Sequence, residues 1–149
     1  MRIWLAAFAI LLVGCGDSDE KPAKPRDPTT ESWYGPAVEE LNSLNQQARA
    51  AIAKGKQDEA AFEIQKGEEI STRIISVPRP TLDATIAAAD VDQLYGQMLF
   101  SNHNYGWARL FFQKNLARWK VWRPQTDDTA RRYKEAAAEI AECDRKIEE

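Results

Sequence analysis

The sequence predicts an all-α fold of about five helices arranged as antiparallel helical hairpins. Three observations predict it. From Pro36 to the C-terminus, apolar residues recur at steps of three and four, and no stretch of useful length alternates with period two. Gly55, Pro78, Pro80 and Pro124 fall between these runs rather than within them. The connections so marked are short, which forces successive helices to lie antiparallel.

The first helix is predicted from about Pro36 to Lys54. Proline suits its first turn, where the missing N–H has no helical partner. Val38, Leu41, Leu44, Ala48 and Ile52 mark one face, and Gly55 ends it. The second runs from about Gln57 to Ser76, with Ala60, Ile64, Gly67, Ile70 and Ile74 at helical spacing, and Pro78 and Pro80 stop it. The third spans about Thr81 to Phe100, with Leu82, Ile86, Leu94, Met98 and Leu99 inward. Its apolar stripe drifts near Asp90, which predicts a kink or break there. The turn Ser101-Asn102-His103-Asn104 leads to a fourth helix, about Tyr105 to Arg123. That helix is apolar on most sides, a pattern that predicts burial between neighbours. The fifth starts near Asp127-Asp128, acids suited to a helix N-terminus. Ala130, Tyr133, Ala137, Ile140, Asp144 and Ile147 form its stripe.

The N-terminal residues follow a different rule. Arg2 precedes an unbroken apolar run, Ile3 to Val13, then Gly14 and Cys15. The run has 11 residues, and a bilayer-spanning helix needs about 20. It therefore reads as a signal-peptide hydrophobic region. Leu12-Val13-Gly14-Cys15 resembles the lipobox of bacterial lipoproteins. The resemblance implies a signal peptide over residues 1–14, cleavage before Cys15, and lipid on the Cys15 thiol and its new amine. It implies anchorage in a bacterial membrane, facing the periplasm or exterior. In that family an aspartate directly after the cysteine retains the protein at the inner membrane. Gly16 stands there and Asp17 one later, which favours the outer membrane.

With Cys15, residues 16–32 make the tether. Residues 16–32 hold no large apolar side chain, and Pro22, Pro25 and Pro28 recur at every third position. Such a segment cannot bury a core. Fully extended it would reach roughly 50–60 Å. The folded domain is predicted over residues 33–149, beginning at Trp33-Tyr34.

Within that domain a second resemblance is visible. Tetratricopeptide repeats follow W-x2-L-G-x2-Y…A-x3-F…P. Gly96 occupies the glycine position, and Ala108 and Phe112 supply A-x3-F. In the earlier hairpin Ala48 stands for the glycine, and Ala60 and Ile64 stand for A-x3-F. Asp92 replaces the motif tryptophan, Leu99 its tyrosine, and Pro124 falls late. The hairpins are offset by 48 residues, from Ala60 to Ala108, against about 34 in the family. The resemblance implies stacked hairpins with a solvating last helix and a concave face for a protein partner.

Composition limits the chemistry. The 149 residues carry net charge −3, and −4 once Arg2 leaves with the signal peptide. Such a protein has no general attraction for nucleic acid or anionic lipid. Arg109, Lys114, Arg118, Lys120 and Arg123 interleave with Trp107, Phe111, Phe112, Trp119 and Trp122. Interleaving of this kind can bind nucleic acid, but the acidic balance and the export signal argue for core packing instead. Trp119, Trp122 and Arg123 lie toward one end and form a candidate partner-binding patch. His103, the one histidine, sits in a turn and reads as solvated. Cys143 reads as a buried small hydrophobe. The acid pairs Glu39-Glu40, Asp58-Glu59, Glu68-Glu69 and Asp127-Asp128 fit helix surfaces and starts. No phosphate loop, nucleophile elbow or metal-ligand cluster is visible. No cofactor, metal or catalytic residue is expected. The sequence points to a non-enzymatic interaction or assembly module of the cell envelope. The alternative is a small apolar-ligand binder using a tryptophan-rich pocket between the third, fourth and fifth helices.

Overall fold

The computed structural model describes residues 26–149, and the fold is all-α. Residues 1–25, where the signal peptide, Cys15 and the first part of the tether are expected, lie outside the described residues. The polar segment expected to run to residue 32 acquires structure earlier. Asp27 caps a 3-10 turn over Pro28–Thr30, accepting from the Thr29 N–H at 3.0 Å, and this turn packs on the start of the first helix.

Five helices follow: α1 Tyr34–Ala53, α2 Gln57–Ile75, α3 Leu82–Ser101, α4 Tyr105–Val121 and α5 Asp127–Glu148. Each boundary has a local cause. Gly55 adopts φ 71° after α1, a left-handed conformation that costs other residues about 1–2 kcal/mol. Thr81 caps α3 by accepting from the Ala84 N–H at 3.2 Å. His103 takes φ 61° after α3, closing the helix end with its N–H on the Phe100 carbonyl. Thr126 and Thr129 cap α5 reciprocally.

The helices form two layers. Tyr34 is buried, and its hydroxyl accepts from the Thr81 N–H at 3.1 Å, so α1 and α3 start side by side and run parallel. Asn45 on α1 donates to the Ala87 carbonyl further along α3. Arg132 meets Asp90 and Gln93 meets Glu139, which sets α5 parallel to α3 as well. Helices α2 and α4 return between them in the other layer. The main core lies under α1–α3, around Leu41, Ile64, Ile74, Val91 and Leu94. A smaller core holds Ala108, Phe112 and Cys143 between α3, α4 and α5.

Helix α3 is continuous through Asp90, without the break that the drifting stripe predicted. The drift has another cause. Helix α3 packs against α1, α2 and α4, so it is buried on most of its circumference. Ala84, Ala87, Ala88 and Ala89 are fully buried toward these neighbours, together with Val91 and Leu94, while Leu82, Ile86, Met98 and Leu99 are only half-buried. Alanine lets three neighbours approach at once, and no single stripe is needed. The converse holds for α4. Expected to be enclosed, it is an outer helix, with Trp107 65% and Val121 74% exposed and Leu110 also in solvent. Phe112 and Trp119 are buried, while Phe111 and Trp122 are half-buried.

Gly96 shows how closely α3 and α4 approach. A Cβ placed there would lie 2.6 Å from Cε1 of Phe112. Phe112 is wedged in the smaller core and cannot yield without displacing its neighbours. Gly96→Ala is expected to destabilise the domain by about 1–3 kcal/mol in chemical denaturation. Gly35→Ala, with open space around its Cβ, should be neutral or slightly stabilising.

Candidate functional site

An interruption of packing lies between α3 and α5. Each packs closely on α4, but they do not pack on each other as α1 and α3 do. Side chains span the gap and leave a half-open groove of about 350 Å³. Ala89, Asp90, Gln93 and Gln97 form the α3 wall, and Arg131, Arg132, Glu135 and Glu139 the α5 wall. Asn115 and Trp119 of α4 make the floor, and Arg49 of α1 closes one end.

The floor is rigid. Asn115 donates to the Ala89 carbonyl at 2.9 Å, fixing α4 to the α3 backbone. Asp92, 3% exposed, accepts from Lys114 Nζ at 2.5 Å and from Arg118 Nη2 at 2.8 Å. A buried carboxylate is tolerable only when its charge is compensated in this way. Trp119 lies beneath, and the Arg132 guanidinium stands 5.7 Å from its ring centroid.

The groove's cations are matched by acids on its walls, Asp90 and Glu135, and by Asp128 beside them. Arg132 bonds Asp90 and Asp128, Arg49 meets Asp90 at 3.2 Å, and Arg131 pairs with Asp128 and Glu135. Glu139 differs. Gln93 donates to its Oε1, while its Oε2 is buried with no hydrogen-bond partner among the described residues. Burial pushes the Glu139 carboxyl above its ordinary value, against the smaller opposing effect of the Gln93 and Gln97 amides. Past Gln97 and Glu139 the surface turns apolar. A second hollow, about 410 Å³, is lined there by Ile52, Phe100 and Phe112, with Glu142 at its rim.

The structure separates the three residues of the expected patch by depth. Trp119 is 1% exposed and serves as floor, Trp122 is half-buried at the C-cap of α4, and Arg123 is exposed. His103 is exposed, its Nδ1 2.7 Å from the Tyr105 hydroxyl. Cys143 is fully buried, as expected of a small hydrophobe, and has no disulfide partner among the described residues. Sequence reasoning missed the groove residues Arg49, Asp90, Gln93 and Glu139. The polar break in the α3 stripe at Asp90 was their one signal. Among the described residues no cluster of three or more histidine, cysteine or acidic side chains is placed to hold a metal ion. No described helix is long and apolar enough to cross a membrane. Comparison with protein-family models, curated proteins and solved structures gave no match to this chain.

The state of Glu139 has a pH signature. A carboxyl raised in the folded state holds its proton more tightly than in the unfolded chain. Its contribution is complete below the ordinary value of 4.5 and is lost as pH rises through the folded value. Glu139→Gln removes that loss and keeps an acceptor for Gln93. The variant should be more stable than wild type at neutral pH, and the difference should vanish as pH falls below 4.5 in thermal denaturation. A difference that is constant with pH would exclude ionisation as its source.

Proposed function

We propose that this chain is a membrane-anchored lipoprotein of the bacterial cell envelope, acting without catalysis as a protein-interaction or assembly module. The observation that carries the interaction part is the half-open groove between α3 and α5 with its apolar continuation. Small-molecule sites bury most of their ligand. A half-open groove suits an extended or helical segment of another protein better. Its walls are pre-organised by ion pairs and amide contacts, so a partner would meet a surface already ordered. The anchoring part is supported by the lipobox-like Leu12-Val13-Gly14-Cys15 and the polar segment after it.

A second reading has its own observation. The hollow beside Ile52, Phe100 and Phe112 is more apolar than the groove and would accept a small apolar ligand. The two readings part on a simple measurement. Partner capture should be lost when the groove wall is altered, as in Gln93→Arg. Ligand binding should respond to Phe100→Ala and not to Gln93→Arg.

Two outcomes test the proposal. Cys15→Ser should move the protein from the membrane to the soluble fraction at high salt, while its circular dichroism stays helical. Retention of that variant in membranes at high salt would remove the anchor. Crosslinking in intact cells, followed by detergent extraction, should yield one stoichiometric protein adduct through α3 or α5. Its loss in Gln93→Arg would locate it in the groove, and adducts elsewhere on the surface would overturn the groove as the site.

A further inference from the structure

The end of the domain where α4 turns into α5 carries a different surface. Residues 118–134 hold six cations and two acids, net +4 in a chain of net −3, so the rest of the chain sums to −7. Three of the six, Arg118, Arg131 and Arg132, are bound to acids. The other three, Lys120, Arg123 and Lys134, are exposed and line a single hollow of about 290 Å³ that includes no acid. None of the three forms an ion pair among the described residues. Like charges gathered around one hollow repel, and the nearby carboxylates of Asp127 and Asp128 are not among its lining. Trp119 forms the base of this hollow too, with Gln125 and Tyr133 at its sides.

The cations are held in place. Arg123 Nη1 donates to the carbonyls of Lys120 at 3.1 Å and Trp122 at 2.7 Å, capping the end of α4. Its Nη2 and Nε have no protein partner among the described residues. Gln125 Nε2 donates to the Trp119 and Trp122 carbonyls at 2.9 and 3.1 Å, which ties the turn back onto α4. Beside this fork stands Val121, 74% exposed, the most exposed large apolar side chain of the domain. Trp122 is half-buried next to it, and Tyr133 opens to solvent on the facing helix. Cations for phosphate, amphipathic rings and a protruding aliphatic group are what a headgroup layer accommodates.

We propose that the α4–α5 corner docks on an anionic lipid surface, with headgroup phosphates entering the hollow between Lys120, Arg123 and Lys134 and Val121 reaching the acyl boundary. Charge complementarity selects this occupant. The rest of the chain sums to −7 and is on balance repelled by the same surface, which favours an orientation with the corner facing it. The proposal shares with the lipoprotein reading only the presence of a membrane, and it does not depend on lipid at Cys15.

The test uses the full-length, unlipidated Cys15→Ser chain in sedimentation with vesicles of phosphatidylcholine alone or mixed equally with phosphatidylglycerol. The N-terminal apolar run contributes to both, so the ratio of the two partition coefficients reads the corner. Each cation near such a surface contributes about fivefold. Lys120→Gln, Arg123→Gln and Lys134→Gln together should lower the ratio by about a hundredfold. Val121→Ser should lower binding to both vesicles further. A control carrying Lys54→Gln, Lys66→Gln and Arg79→Gln has the same net charge and removes exposed cations elsewhere. It should change the ratio little. An equal fall in the control would reduce the effect to net charge and overturn the corner, as would a wild-type ratio near unity. A ratio that holds at low salt while Cys15→Ser also remains on cell membranes at high salt, where the corner's charges are screened, would sink the anchor and leave the corner standing.

Discussion

The domain depends on how closely helices can approach α3. Its alanines bring α1 and α2 to one side, and Gly96 brings α4 to the other. Close approach puts polar backbone within reach of neighbouring side chains. Asn45 reaches the Ala87 carbonyl from α1, and Asn115 reaches the Ala89 carbonyl from α4. A bulkier α3 would lose both bonds along with the packing. The same closeness places Asp92 where only Lys114 and Arg118 can neutralise it. Small residues, amide brackets and the buried ion cluster are therefore one device seen from three sides.

The groove is the counterpart of that device. Helix α5 meets α3 through long polar side chains. Arginine, glutamine and glutamate act as spacers, holding the two helices parallel but apart. Trp119 then fills the space beneath that a closer packing would have eliminated. One side chain thus supports both the neutral trench on one side and the cationic hollow on the other.

Much of the helical architecture was legible in the chain. Caps, prolines and three-four periodicity place all five helices, and Gly96 with Ala108 and Phe112 announces the tight α3–α4 hairpin. What periodicity cannot express is how many neighbours a helix has. Helix α3 is central because it is small, yet its alanines weigh little in any apolar count. Helix α4 is peripheral although it is aromatic, because Trp107, Leu110 and Val121 point away from the fold. The sites were hidden for a related reason. The cationic hollow draws Lys120 and Arg123 from α4 and its C-cap turn, and Lys134 from α5. Asp127 and Asp128 stand between them in sequence but do not line the hollow, and the acids of the rest of the chain outweigh these cations. The average charge of the chain therefore conceals a strongly local one.

Cys143 lies at the meeting of α4 and α5, in contact with the core around Ala108 and Phe112, and is fully enclosed. Burial also pushes its thiol above the ordinary range, which depletes the reactive thiolate. In an oxidising compartment a free thiol would otherwise invite mixed disulfides. Here the fold itself acts as the protecting group, for as long as α5 stays docked. The chemistry of that sulfur is thereby coupled to the mechanical integrity of one helix. Its rate of alkylation becomes a clock for how often the last helix lifts away, legible without any added label.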